Sequence, residues 1–272
     1  MSQPKNSLGP RLARRDGAQL LIVDVQTRLL AAIPTDAAER IERNIGRLIL
    51  GARTLSIPVA VSLQYPQGLG PLSPTLMAVL DGQREPDSAD STTRSESVEA
   101  GAATPKDASP PSTENIFVKT AFSCCADSAL ATRLGLAAQS DSEPNTRVGV
   151  SSDEAPRTLI DDTSTSQAEA QPVAPGASSN QANGTGDIVI CGIEAHICVL
   201  QTALELRARL APERRVIVVS DAVASRDPQH CEDALQRLRT ELVIVANHES
   251  ILFEWMRDSA HPAFKTVSAL IR

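Results

Sequence analysis

Apolar residues in this chain fall into short unbroken runs, and stretches with helical spacing lie between them. Ala18 to Asp24 (AQLLIVD), Pro58 to Leu63 (PVAVSL), Asn115 to Lys119, Ile188 to Cys191, Arg215 to Ser220 (RVIVVS) and Leu242 to Ala246 read as six strands, the clearest of them continuous apolar runs buried on both faces. Ile41, Ile45, Leu48, Ile49 and Ala52 line one face of a helix running from a cap at Thr35 or Asp36 to about Leu55. Further helices are expected at Cys124 to Leu136, from about His196 to Leu210, at Pro228 to Thr240 and at Ser250 to Asp258. Strands alternating with helices predict an α/β fold, a three-layer α/β/α sandwich around a six-stranded parallel sheet of the Rossmann-like kind. Ligands of such sheets bind beyond the carboxyl ends of the strands, where strand order reverses.

Two stretches break the alternation. Residues from about 81 to 113 and from about 139 to 186 are dominated by Ser, Thr, Asp, Gln, Pro and Ala, with little large apolar content. Too little surface can be buried there to offset the entropy of ordering, so both are expected to be disordered insertions in surface loops. Long insertions are tolerated because loop-closure entropy grows only logarithmically with length. The rest of 18–272 is then expected to form a single domain, with 1–17 as a flexible N-terminus.

Composition narrows the reading further. Aromatic residues make up 2% of the 272, so the core is built from Leu, Val, Ile and Ala. The net charge is −7, and no basic run exceeds Arg11-Leu-Ala-Arg14-Arg15, which argues against binding to nucleic acid. No apolar run approaches the ~20 residues of a membrane span. Residues 1–17 lack the apolar region of a secretory signal, which predicts a cytoplasmic protein; their three arginines leave a mitochondrial leader as a second reading. Five cysteines without a C-x-x-C pair point to free thiols rather than a structural zinc site.

Three reactive side chains fall at strand ends. Asp24 closes the first strand, Lys119 closes the third, and Cys198 opens the helix after the fourth. A thiol at a helix N-terminus is expected to have a lowered pKa, because the unpaired N–H groups favour the thiolate. Asp24 can act as general base, and Lys119 beside it would hold the carboxylate ionised. Gln64, Tyr65 and Phe122 also follow strand ends and are candidate substrate-binding residues. His196 is expected in a structural or pocket-rim role, and His230, His248 and His261 at surface or capping positions. Cys191, Cys124 and Cys125 are expected to be core thiols, and Asp221 and Arg226 to stabilise loops or a subunit contact.

The motifs LLIVDVQ (Leu20 to Gln26), SLQYPQGLG (Ser62 to Gly70), FVKTAFSC (Phe117 to Cys124), VICGIEAHICVLQTALEL (Val189 to Leu206) and VVSDAVASR (Val218 to Arg226) resemble those of the isochorismatase-like cysteine hydrolases, most closely the isochorismatase domain-containing proteins. The resemblance implies an Asp24–Lys119–Cys198 triad and a cis peptide between Ile193 and Glu194. It also implies an oxyanion hole formed by the backbone N–H groups of Glu194 and Cys198, and assembly as a homo-oligomer (dimer or tetramer). Nicotinamidases of the family carry an Asp-x-His metal site where this chain has Gln64-Tyr65-Pro66, so neither a metal nor any other cofactor is expected. True isochorismatases lack the cysteine. The implied activity is metal-independent hydrolysis of a small amide, ester or related carbonyl substrate through a Cys198 thioester, of amidase type. An alternative is a catalytically weak domain used for protein interaction, which the Ser/Thr/Asp-rich stretches would suit. A nuclease is opposed by the acidic charge.

Overall fold

The computed structural model describes residues 12–82, 115–136 and 185–272. The apolar runs form β1 (Gln19–Val23), β2 (Val59–Gln64), β3 (Ile116–Lys119), β4 (Ile188–Ile193), β5 (Val216–Ala224) and β6 (Ile244–Ala246). These strands pair in parallel in the order β3-β2-β1-β4-β5-β6. Strand order therefore reverses between β1 and β4, which places the expected ligand site beyond their carboxyl ends.

Alternate residues of each strand face opposite helical layers, as the two-residue period of a strand requires. Leu20 and Ile22 of β1 and Val189 and Cys191 of β4 share one core with α2 (Thr35–Thr54), α4 (Pro74–Leu80), α8 (His248–Met256) and α9 (Phe264–Ala269). Leu21, Val23, Ile188 and Ile190 face the other core, against α5 (Ser128–Arg133), α6 (Leu200–Arg209) and α7 (Pro228–Thr240). The sheet is thus covered on both faces, which is why its strands read as continuous apolar runs. Two single-turn helices, α1 (Thr27–Leu30) and α3 (Pro66–Leu69), decorate the carboxyl edge.

The local differences from expectation have identifiable causes. Neither Thr35 nor Asp36 caps α2; Pro34 precedes it and Thr35 is already helical. The segment from Cys124 divides into a 3₁₀ turn (Cys124–Ala126) and α5, because Asp127 caps a new helix by accepting from Leu130 N–H. β5 runs on to Ala224, with a register shift against β4 between Ile190 and Gly192. The helix expected from His196 opens as a π turn over Ala195–Val199 before α6. Short α1, α3, α4 and α9 span too few residues to show a helical period.

Of the expected flexible 1–17 segment, residues 12–17 lie docked on the domain: Ala13 is buried, and Arg14 N–H donates to Asp187 Oδ2 at 2.7 Å. The expected insertions at about 81–113 and 139–186 lie outside the described residues apart from their outermost positions. Gly192 has φ +123°, and a Cβ there would stand 2.1 Å from the Val23 carbonyl oxygen. Only glycine lets β4 come this close to β1 where the two strands end.

Candidate active site

Asp24, Lys119 and Cys198 converge beyond the carboxyl ends of β1, β3 and β4. Asp24 leaves β1 with φ +51°, a left-handed conformation that aspartate adopts more readily than most residues. Its carboxylate is fully buried. Oδ2 accepts from Lys119 Nζ at 2.6 Å, and Oδ1 accepts from the Ser62 hydroxyl at 2.8 Å. Lys119 is also buried, and its ammonium donates further to Gln64 Oε1 at 2.7 Å, Phe122 O at 3.0 Å and Ala121 O at 3.2 Å. Three ammonium hydrogens shared among four acceptors leave none to spare. Lys119 is thereby fixed against Asp24 by contacts from three directions.

Cys198 sits in the π turn after β4 and is 6% exposed. The sequence-based expectation of a lowered thiol pKa is overturned. Burial raises it to about 12, Asp24 adds to the rise through its charge and by accepting a hydrogen bond from the thiol, and Lys119 opposes it. Desolvation outweighs the dipole of a single irregular turn. The sulfur is therefore held as a thiol, with Asp24 and Lys119 close enough to act on its pKa in opposite directions. Ile193–Glu194 is a cis peptide, as the resemblance implied.

Two supporting residues received no role from the sequence. Gln26 is fully buried; its amide donates to Gln64 O at 3.1 Å and Gly70 O at 2.7 Å while its Oε1 accepts from Gln64 N–H at 2.7 Å. Ser62 bridges Asp24 to the Cys124 thiol, 3.4 Å from its hydroxyl. A fully buried polar side chain at a strand end is the signal that marks both.

Gln64 was a candidate for substrate contact, but both ends of its amide are engaged within the fold: Oε1 by Lys119, and Nε2 by Thr120 O at 2.6 Å. Tyr65 and Phe122 flank Lys119 through their backbones and leave their side chains more than half exposed. Glu194 turns its side chain aside to Arg226, 3.3 Å away, and His196 Nδ1 meets Ser225 Oγ at 2.9 Å. His248, expected at a surface or capping position, is the first residue of α8. It is buried, with Nδ1 2.6 Å from Asp221 Oδ2. Cys124, Cys125 and Cys191 are buried, and burial raises each of their thiol pKa values, to about 11 for Cys124 and about 12 for Cys125. Among the described residues, no three His, Cys, Asp or Glu side chains are grouped to hold a metal ion, and no helix is long and apolar enough to cross a membrane.

Residues 179–250 match the isochorismatase domain. The chain is 41% identical, over 85 residues or 31% of its length, to the secreted isochorismatase effector Isc1 of Phytophthora sojae (strain P6497), and covers 39% of that protein. A structure described as the MAR1 ribonuclease of Caenorhabditis elegans aligns at a TM-score of 0.59 with 25% identity, over 95% of this chain and 91% of that one. The YcaC gene product of Escherichia coli, described as an octameric hydrolase of unknown specificity, aligns at a TM-score of 0.60 with 15% identity over 97% and 91% of the two chains, a likeness of fold. The sequence match to the isochorismatase domain thus lies within residues 179–250, and the likeness over the rest of the chain is one of fold.

Proposed function

We propose that the protein is a cysteine hydrolase of small amides, esters or related carbonyl compounds, working without a metal through an Asp24–Lys119–Cys198 triad. The observation that carries this reading is the buried Asp24 carboxylate, held by the Lys119 ammonium at 2.6 Å and the Ser62 hydroxyl at 2.8 Å, with the buried Cys198 thiol beside it. Asp24 takes the thiol proton as Sγ attacks the substrate carbonyl carbon. The oxyanion so formed accepts hydrogen bonds from the backbone N–H groups of Glu194 and Cys198. Asp24 passes the proton to the leaving amine or alcohol, and the carbon–heteroatom bond breaks to leave a thioester on Cys198. Asp24 then deprotonates a water that attacks the thioester, and the thiol is restored. Lys119 supplies the positive charge that keeps Asp24 in place throughout.

Gln64 holds Lys119, while Tyr65 and Phe122 present exposed rings to substrate at the rim. The chain assembles as a homo-oligomer, a reading supported by the octamer described for YcaC.

The ribonuclease described for the worm relative has no support in the net charge of −7 of this chain. A panel of small amides, esters and an unstructured RNA, assayed with the native protein and with Cys198→Ala, separates the readings. Turnover of a carbonyl substrate that disappears in Cys198→Ala is expected. RNA cleavage that persists in Cys198→Ala, with no carbonyl substrate turned over, would overturn the proposal. Mass spectrometry after treatment with iodoacetamide adds a direct check: Cys198 is expected to label well ahead of Cys191, and equal labelling would sink the mechanism.

A further inference from the structure

A cavity of about 240 Å³ lies at the opposite end of the molecule from the triad, where residues 12–17 pass over the last turn of α8. Its walls include Arg14, Arg15, Asp16, Trp255, Arg257 and His261. Three arginines and a histidine thus stand with a single aspartate in the lining. Arg14 is partly neutralised, since its Nη2 lies 3.1 Å from the buried Asp187. Arg15 meets Asp16 only at 3.4 Å, and the Asp16 side chain is 93% exposed. Arg257 donates through Nη2 to the carbonyls of Leu12 (3.1 Å) and Ala13 (2.7 Å), and no carboxylate pairs with it among the described residues. The wall therefore carries surplus positive charge.

Two details point to a missing acceptor. Trp255 is 1% exposed and lines the cavity, yet its Nε1–H is buried without a hydrogen-bond partner. Such a group costs stability unless something accepts from it. The second detail is the His261 ring. Ala263 N–H donates to His261 Nδ1 at 3.1 Å, which puts the proton of a neutral ring on Nε2. That nitrogen stands 2.9 Å from Arg15 Nη1, itself a donor. A neutral ring accepts at only one nitrogen, so Ala263 N–H and the Arg15 guanidinium compete for it, and an anion beside Arg15 would accept from whichever donor is left over.

We propose that this cavity binds a phosphate group, either inorganic phosphate or the phosphate of a small monoester. Planar guanidinium forks match the paired oxygens of phosphate, and a species carrying nearly two negative charges suits the surplus better than a single carboxylate does. The site is separate from the triad: β1 begins and α8 ends at this edge, whereas Asp24, Lys119 and Cys198 gather at the other. It stands whether or not the hydrolase reading does.

Trp255 is the sole tryptophan of the chain, so its fluorescence reports on the cavity directly. The experiment titrates the full-length protein with inorganic phosphate at constant ionic strength, using chloride and acetate as comparison anions. A saturable change with phosphate is expected, with chloride inert and acetate weaker. Arg15→Gln should weaken the phosphate response roughly tenfold or more, because it removes a charge-assisted donor from an exposed position while circular dichroism stays unchanged. Arg257→Gln should weaken it similarly. A response that never saturates, that chloride or acetate reproduces, or that survives unaltered in folded Arg15→Gln would overturn the assignment.

Discussion

Asp24 and Asp187 are both fully buried carboxylates, and they mark opposite ends of the neighbouring strands β1 and β4. Their surroundings differ in a way that separates chemistry from scaffolding. Asp187 accepts from the Arg215 guanidinium on both oxygens, and from Arg14 through its backbone N–H at 2.7 Å and its side chain at 3.1 Å. Burial alone would raise its pKa, yet the hydrogen bonds from Arg215 and Arg14 hold it below the ordinary carboxylate value. Every oxygen lone pair there faces a permanent donor, and the result ties the N-terminal segment to the sheet. Asp24 accepts from one ammonium and one hydroxyl, and the Cys198 thiol lies near enough for the two charges to act on it. On the proposed reading Asp24 can act as a base because a thiol lies beside it, whereas Asp187, held only by permanent cations and amides, is a rivet.

Substitutions should expose this difference. The largest effect is expected in catalysis: Cys198→Ala or Asp24→Asn should lower kcat/KM by roughly 10³-fold or more, with melting temperature changed little in Cys198→Ala. Asp187→Ala should do the reverse. Stranding two arginines beside the core should cost about 3–5 kcal/mol in urea denaturation, while the folded fraction keeps its kcat. The same carboxylate gives the wild type an acid limb. Its stability is present above the unfolded pKa of about 3.9 and is lost as pH falls through the lower folded value.

Lys119→Met sits between these extremes, with a loss of about 10²-fold in kcat expected. It should also shift the alkylation profile of Cys198 to still higher pH, since Lys119 is the charge that lowers that thiol's pKa. A profile moved downward would contradict the assigned role. The smallest effect is alkaline. The Cys124, Cys125 and Cys198 thiols are raised to about 11, about 12 and about 12, from an ordinary value of 9.0. Between pH 9 and 11 the unfolded chain releases thiol protons that the folded one retains, so stability falls as pH rises. Thermal melts should show a decline of a few degrees over that window, reduced in Cys125→Ala.

The contrast between the two carboxylates was only half legible in the sequence. Asp24, Lys119 and Cys198 stood out because each ends or follows an apolar run, and strand ends are where an open parallel sheet places its ligands. The same runs revealed β1, β2, β4 and β5, since strands buried on both faces carry no competing pattern. Asp187 stands immediately before β4 but was given no role, because nothing local shows that Arg14, 173 residues away in sequence, returns to meet it. Ser62 and Gln26 were hidden for a similar reason: a polar residue inside or just after an apolar run looks like a pause until its partner is seen. The thiol's pKa was misjudged because sequence shows the turn but not the burial. Helices α4 and α9, seven and six residues long, fall below the length at which a 3.6-residue period can be recognised.

One feature of the chain path bears on how this protein could change without losing its chemistry. Arg53, at the close of α2, grips the carbonyls of Val79 and Leu80 just before Gly82. Asn115 leads directly into the start of β3. Gln19, the first residue of β1, holds Arg133 O, while Arg214 holds Gly135 O and Gly186 O, near Leu136 and Thr185. All four junctions thus lie along the starting margin of the sheet. Lineages could lengthen, shorten or exchange what is spliced there, and the reacting groups along the far margin would keep their positions.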